Sequence, residues 1–316
     1  MPVPTGTASL LDIQNEFGGS NPISLNEYYG VASGVPASGA ISINDLRGKA
    51  NIFYATISGT NAPMNLRSWA LSAGWNGTAA VVITVSSSAW IYATGTGTAA
   101  LTIDGSWPAG VTLVNNGKII GRGGKGGNKA QNGSVGGPAI TITATGVSVQ
   151  NKAGAYIAGG GGGGSGGLSG SSTGGGGGGA GGGNGGNGSS SAGGAGGGVN
   201  ANGANGVGTY RGYGGTGGGG GGASYNSTHG GGGGGGRKLP GGNTGGAHAN
   251  CGIGRGYNTV GGNKGGNNDW RGGGGGGGWG AKGGNGWSTS GGAGGKAINA
   301  NKSYSLSNAG AIYGAT

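Results

Sequence analysis

The stretch from Gly121 to Lys296 holds 81 of the chain's 98 glycines, with 15 before it and 2 after, and contains unbroken runs at 159–164, 174–179, 217–222, 230–236 and 272–278. Runs without side chains cannot build an apolar core, and ordering each residue costs about 1–2 kcal/mol of backbone entropy. Two outcomes are open: disorder, or backbones packed directly on backbones. Collagen is excluded, because its axis needs glycine at every third position with abundant proline. Here the runs are pure glycine, and the chain has only 8 prolines. The ordered alternative is a bundle of polyproline II helices made of glycine, each with about 3 residues per turn and about 3.1 Å rise. Such helices have no internal hydrogen bonds, so their N–H and C=O groups bond to neighbouring helices. An interior helix needs glycine on all three faces and a peripheral one only where it packs. Pure runs and runs broken by Ala, Ser or Asn therefore both have a place.

A repeat frames this region. Leu113, Asn115, Gly117, Ile119 and Gly121 form L-x-N-x-G-x-I-x-G, which returns as Leu306, Asn308, Gly310, Ile312 and Gly314, with a looser copy at Val149, Asn151 and Ile157. Repetition of this kind predicts equivalent strands stacked in one β-layer with laddered asparagines. The last strand must then return to the layer the first two build, which favours the ordered outcome.

Counting glycine-rich segments from 159 to 295 gives ten: 159–167, 174–188, 193–198, 214–222, 230–236, 241–246, 261–266, 272–278, 283–286 and 291–295. Alternating up and down, an even number returns the chain to its base. Loops after odd segments then lie at the far tip, at 168–173, 199–213, 237–240, 267–271 and 287–290. They carry Tyr210, Arg211, Tyr213, Arg237, Lys238, Asp269, Trp270, Arg271 and Trp287, whereas Tyr225, His229, His248, Tyr257 and Trp279 fall at the base. Clustered Tyr, Trp and Arg among Gly, Ser and Asn has the composition of a binding surface. The alternative is that these aromatics cap the bundle and shield its backbone.

Outside the glycine region two modules precede it. In residues 1–49, Ser9 with Asp12, Ser24 with Glu27 and Ser42 with Asp45 are candidate capping boxes of short helices. The first helix carries Leu10, Leu11, Ile13 and Phe17 and ends at Gly18. Residues 50–120 alternate apolar and polar positions at 52–57, 81–85, 90–92 and 101–103, predicting a small antiparallel, β-sandwich-like domain. Trp69, Trp75, Trp90 and Trp107 fit its core, or alternatively a sugar-binding platform. The expected fold is thus mainly β plus polyglycine II: a helical module (1–49), a β-domain (50–120) and a glycine-helix bundle framed by strands (121–316).

Net charge is +11 with only 6 acidic residues, which points to an anionic partner such as lipopolysaccharide phosphate, a membrane surface or nucleic acid. Cys251 is the single cysteine, and Asp12, Gln14 and Glu16 stand where a signal peptide would be apolar, so the chain is expected to be made in a cytoplasm and not exported by that route. Matches to G-x-G-x-x-G are trivial in such a chain, and the two histidines have no ligand-spaced partners. After Asp104 only Asp269 is acidic, so no paired-carboxylate hydrolase is expected in the glycine region. No cofactor or metal is expected, and no enzymatic activity. GRGG, RGYGG and RGGGGGGG also have the look of disordered arginine–glycine RNA-binding segments, although only 12 basic residues lie between 121 and 296. That is the competing reading.

LDIQNEFGGSNPISLNEYYG and VPASGAISINDLRGK resemble a short module of tailed-phage virion proteins, and NLRSWALSAGWNG with WPAGVTLVNNGKIIGRGGKGG resembles phage tail-fibre and tail-tip proteins. From 121 onward the glycine runs with variable polar and aromatic loops are similar to the receptor-recognising adhesins of T-even-type long tail fibres. The resemblance implies a virion protein assembled in the host cytoplasm, attached to other tail proteins through 1–49, expected by analogy to be a homotrimer. It further implies that distal loops bind an outer-membrane protein or lipopolysaccharide, not nucleic acid, with Tyr210, Arg211, Tyr213, Arg237, Lys238, Trp270, Arg271 and Trp287 as the candidates here.

Overall fold

The computed structural model describes residues 2–32, 34–168, 173–189, 192–197, 203–204, 273–286 and 288–316. Its N-terminal module follows the capping logic. Helix α1 (Leu10–Phe17) starts at Ser9, whose hydroxyl accepts from the Asp12 amide while the Asp12 carboxylate accepts from the Ser9 amide, and Gly18 ends it at φ 77°. The same exchange joins Ser24 and Glu27 at a 3₁₀ turn (Leu25–Tyr28), and the Asp45 carboxylate accepts from the amide and hydroxyl of Ser42 at α2 (Ile43–Leu46). Val3, Ile13, Tyr28, Val35 and Leu46 form the module's own small core.

From Ile52 the chain winds as a three-sided solenoid. The first coil holds β1 (Ile52–Ile57), β2 (Thr60–Asn61) and β3 (Met64–Asn65), followed by α3 (Leu66–Ser72). The second holds β4 (Ala80–Val85), β5 (Trp90–Tyr92) and β6 (Leu101–Ile103), and the third β7 (Val111–Asn115), β8 (Lys118–Ile120) and β9 (Ile140–Ile142). The fourth holds β10 (Val147–Asn151), β11 (Tyr156–Ala158) and β12 (Ile298–Ala300), and β13 (Tyr304–Asn308) with β14 (Ala311–Tyr313) begins a fifth. The sheets run β1-β4-β7-β10-β13, β2-β5-β8-β11-β14 and β3-β6-β9-β12. Every pairing between these strands is parallel.

The expected antiparallel, β-sandwich-like arrangement is therefore corrected. Alternation reports that one face of a strand is buried, which is equally true of a solenoid wall, and it does not encode the neighbour's direction. The framing repeat, by contrast, is what the registers contain. Leu113, Val149 and Leu306 align, as do Asn115, Asn151 and Asn308, and Ile119, Ile157 and Ile312. Asn115 Nδ2 donates to Asn151 Oδ1 and Asn151 Nδ2 to Asn308 Oδ1, both at 2.8 Å, so side-chain amides form a ladder up the corner of the solenoid, buried at Asn115 and Asn151 and exposed at Asn308. The interior is filled by Ile83, Ile91, Leu101, Ile103, Leu113, Ile119, Ile140, Ile142, Val149, Ile157 and Ile298. Trp75 and Trp107 are buried beside this core with rings stacked at 4.8 Å. Their Nε1 groups donate to the carbonyls of Ala79 and Asp104, so they are core residues rather than a sugar platform.

One corner of the solenoid carries insertions that lengthen coil by coil. Between the second and third strands of successive coils lie residues 62–63, 93–100, 121–139 and 159–297. The glycine region is thus two excursions from a single corner, with strands of the same three sheets on either side of it. The first, 121–128 out and 131–138 back, is a glycine hairpin that precedes the segments counted from the sequence.

The described glycine segments are held by backbone hydrogen bonds with a three-residue rhythm. In 159–167, Gly160, Gly163 and Gly166 donate to Gly137, Ser134 and Gln131; Gly161, Gly164 and Gly167 donate to Ala180, Gly177 and Gly174; Gly162 and Ser165 donate to Ala281 and Gly284. The carbonyls of the same segment accept from 124–130, 274–277 and 292–295. Six described segments therefore surround it. At Gly159–Gly164 and Gly166 an added Cβ would collide with neighbouring carbonyls, and Ser165, the segment's one side chain, is fully buried. Around it the pattern becomes Gly-Gly-X: Arg122, Lys125 and Asn128; Asn184 and Asn187; Lys282 and Asn285; Ser290, Ala293 and Lys296 recur at every third position and turn outward. Such order is the reverse of what a disordered RNA-binding segment needs.

The expected count of ten segments is corrected in one place. Residues 174–188 are two segments, because the chain reverses at Ala180–Gly182, where Gly181 reaches φ 97° and Gly182 φ 79°, a conformation glycine enters without a Cβ penalty. The reversal places Ser189 and Ala192 at the far end, and the Gly197 carbonyl accepts from Gly181 and Gly182 beside the sheets.

Candidate functional site at the far end of the glycine bundle

Two ends of the bundle are chemically different. At the base, Trp279 is fully buried with Ile120, Tyr156, Ala158 and Ala180, on the outer face of the second sheet. Tyr156 packs edge-on to Trp90 at 6.2 Å and lies 6.1 Å from Tyr313. Burial first, and the neighbouring Tyr313 second, push the Tyr156 phenol well above its ordinary value. Among the described residues neither its hydroxyl nor Trp279 Nε1 has a hydrogen-bond partner. These aromatics form the hydrophobic seat of the bundle, and Trp279 falls at the base as its position between segments predicts.

The far end is polar. The hairpin 121–138 turns through Lys129 and Ala130, the latter at φ 57°, with the Gln131 amide donating to Asn128 O. Side chains lock each turn to the next. Asn128 Oδ1 accepts from the Asn187 amide (2.9 Å), Asn132 Oδ1 from the Ser290 amide (2.8 Å) and Asn285 Oδ1 from the Gly291 amide (3.0 Å). Thr173 and Ser189 exchange amide-to-hydroxyl bonds of 2.8 and 3.2 Å across the mouth of two loops, and Thr289 Oγ1 donates to Gly166 O at 2.7 Å. A buried turn must satisfy its amides, and a short side-chain oxygen does so without backbone movement. Sequence reasoning passed over these residues. Their signal was an Asn, Ser or Thr immediately beyond a glycine segment.

Leu168, Ser189 and Gly286, the last with its amide donating to Thr289 O, are the far-end residues that precede stretches outside the described residues. Tyr210, Arg211, Tyr213, Arg237, Lys238, Trp270, Arg271 and Trp287 all lie outside the described residues. What is described are flanks. Gly286 and Ser288 belong to the far-end turn on either side of Trp287, and Gly274, shortly after Arg271, donates to Ser165 O near that end. The segment count that assigned Tyr210, Arg211 and Tyr213 to the tip no longer holds, because the chain reaches Gly197 at the base.

Electrostatically the two parts of the molecule differ. Residues 1–49 carry four carboxylates against Arg47 and Lys49, whereas from residue 105 onward fourteen basic residues face Asp269 alone.

Residues 52–218 match the family described as phage tail fibre adhesin Gp38. No curated protein matches the chain. Among solved structures, the gp37–gp38 adhesin tip complex of the bacteriophage S16 long tail fibre aligns at 22% identity over 98% of this chain and 94% of that one, with a TM-score of 0.46.

Proposed function

Because the chain belongs to the phage tail fibre adhesin Gp38 family, a component of the virion tail, we propose that it is the receptor-recognising protein at a fibre tip and that the far-end loops of its glycine bundle contact the host. The family match over 52–218 carries this reading, since it spans the solenoid coils and the first glycine segments together. The backbone bonding of 159–167 supports identifying the described segments as polyglycine II helices, each repeating every third residue as a three-per-turn helix must. In this reading the glycine helices are the scaffold, and the loops at Arg237–Lys238, Trp270–Arg271 and Trp287 are the contact residues. The receptor is an outer-membrane protein or lipopolysaccharide. Residues 1–49 are the attachment module for another tail protein and the seat of a homotrimer, assembled in the host cytoplasm.

The test is adsorption. Trp270→Ala with Arg271→Ala should abolish binding of the full chain to host cells while leaving its melting temperature nearly unchanged. A large drop in melting temperature would instead make these residues caps of the bundle, and unaltered adsorption would remove them from the site. Light scattering of the full chain, with and without residues 1–49, tests the trimer.

A further inference from the structure

The adhesin reading leaves one built surface unused. Segment 121–128 lies at the edge of the bundle with its glycine amides engaged: Gly123, Gly124, Gly126 and Gly127 donate to Gly181, Gly161, Asn184 and Gly164, and Arg122 and Lys125 accept through their carbonyls from Gly137 and Ser134. What remains outward is Arg122, Lys125 and Asn128, one residue per helical turn and so about 9 Å apart. The Arg122 guanidinium lies along the base turn, where a Cβ at Gly182 would stand 2.7 Å from its Nη1. The adjoining segment 183–188 adds Asn184 and Asn187, both exposed. No carboxylate occurs in the sequence between Asp104 and Asp269, and among the described residues neither Arg122 nor Lys125 is paired with one.

Resting on the adhesin reading, we propose that this edge is a second host contact, taking phosphate groups of a phosphorylated surface glycan with Arg122 and Lys125 as the cations and Asn184 and Asn187 as hydroxyl partners. Arginine meets phosphate in a planar, two-pronged geometry, and asparagine both donates and accepts, as sugar hydroxyls require. Nucleic acid would call for aromatic rings between the cations, and a bilayer for apolar side chains beside them. Segments 121–128 and 183–188 contain only Gly, Arg, Lys and Asn. Because the scaffold is a glycine helix bonded on its other sides, the cation spacing is fixed before binding, which lowers the ordering cost of each contact.

The experiment is biolayer interferometry of the full chain on immobilised lipopolysaccharide with a phosphorylated inner core and on the same material dephosphorylated. Arg122→Gln with Lys125→Gln is compared with Lys152→Gln with Lys302→Gln, which removes equal charge from exposed solenoid positions. The edge variant should bind the phosphorylated glycan roughly two- to thirtyfold more weakly than wild type, with a log–log salt slope shallower by about 2. Dephosphorylation should bring wild type down to the edge variant, and the control pair should bind like wild type. Equal binding by the edge variant and wild type would overturn the proposal, as would an equal loss in the control pair. So would Arg122- and Lys125-dependent binding to single-stranded RNA or phosphatidylglycerol vesicles with none to the glycan. Host-cell adsorption separates the two levels: if the adhesin reading fails, wild type does not bind cells, whereas if only this inference fails, wild type and edge variant bind cells alike.

Discussion

Replacing Gly163 by alanine tests whether the bundle is held by backbone contact. A Cβ there would be driven into the carbonyl of Lys125 and within 2.8 Å of the Gly126 amide, under the 3.0 Å below which Cβ atoms are essentially never found. Both groups are main chain, so no rotamer change relieves the clash and segment 121–128 must move away. Its two bonds to the central segment, Gly124 N–H to Gly161 O and Gly127 N–H to Gly164 O, are each 2.8 Å and would be pulled apart. Each buried pair left unmade costs about 1–3 kcal/mol, giving about 2–6 kcal/mol. Alanine's smaller unfolded-state entropy returns about 0.4–1 kcal/mol, for a net loss of about 2–5 kcal/mol. At about 2–4 °C per kcal/mol for a body of this size, the melting temperature should fall by about 4–20 °C. The internal comparison is Gly97→Ala, where a Cβ meets nothing within 4 Å and φ lies outside the left-handed region, so stability should hold or rise slightly. Calorimetry gives the melting shift, and amide exchange over 160–167 shows whether the loss is local. If Gly163→Ala melts within about 2 °C of Gly97→Ala and keeps that protection, direct backbone packing is wrong.

Three other outcomes are expected. Asn151→Ala removes the donor to Asn308 Oδ1 and Ala311 O and leaves the Asn115 amide only its 3.4 Å bond to Tyr156 O, so the urea midpoint should fall by the equivalent of about 2–4 kcal/mol with an unchanged slope. Hydrogen bonds from Ser9 and Ser42 hold the Asp12 and Asp45 carboxyls below their ordinary value of 3.8. Their stabilisation is therefore complete above that pH and lost as pH falls beneath it, which the Ser9 and Ser42 amide shifts in NMR should follow and Asp12→Asn should erase at Ser9. Tyr156 has the opposite sign: its raised phenol favours the fold below pH 10 and gives up that stability as pH climbs beyond it. Tyr156→Phe should remove the alkaline loss and, since the hydroxyl has no partner among the described residues, stabilise the fold against unfolding at neutral pH by about 1 kcal/mol.

Local and repeated features were legible in the sequence. Ser9–Asp12, Ser24–Glu27 and Ser42–Asp45 close their helices because a cap is made within three residues. Asn115, Asn151 and Asn308 form their ladder because stacked coils demand the same residue at the same corner. Glycine runs announced backbone packing because a chain without side chains has no other means of order. The contact residues of the proposed site were chosen by segment parity and composition, and the reversal at Gly181–Gly182 removes the parity argument for Tyr210, Arg211 and Tyr213.

Tertiary structure decided the rest. Parallel strands arise because β4 lies on β1 one coil later, and the alternating burial of Val81, Ile83 and Val85 is identical whichever way a neighbour runs. Which segments surround 159–167 was equally hidden, since its bonds reach from Gly124 to Gly295 and glycine carries nothing to specify a partner. The turn at Gly181–Gly182 sits inside a glycine-rich stretch, where a reversal leaves no change of composition, so the segment count failed there. Glycine by itself therefore determined that backbones pack on backbones. The solenoid corner between β11 and β12 decided where that bundle stands, because only there do both ends of the excursion return to fixed strands.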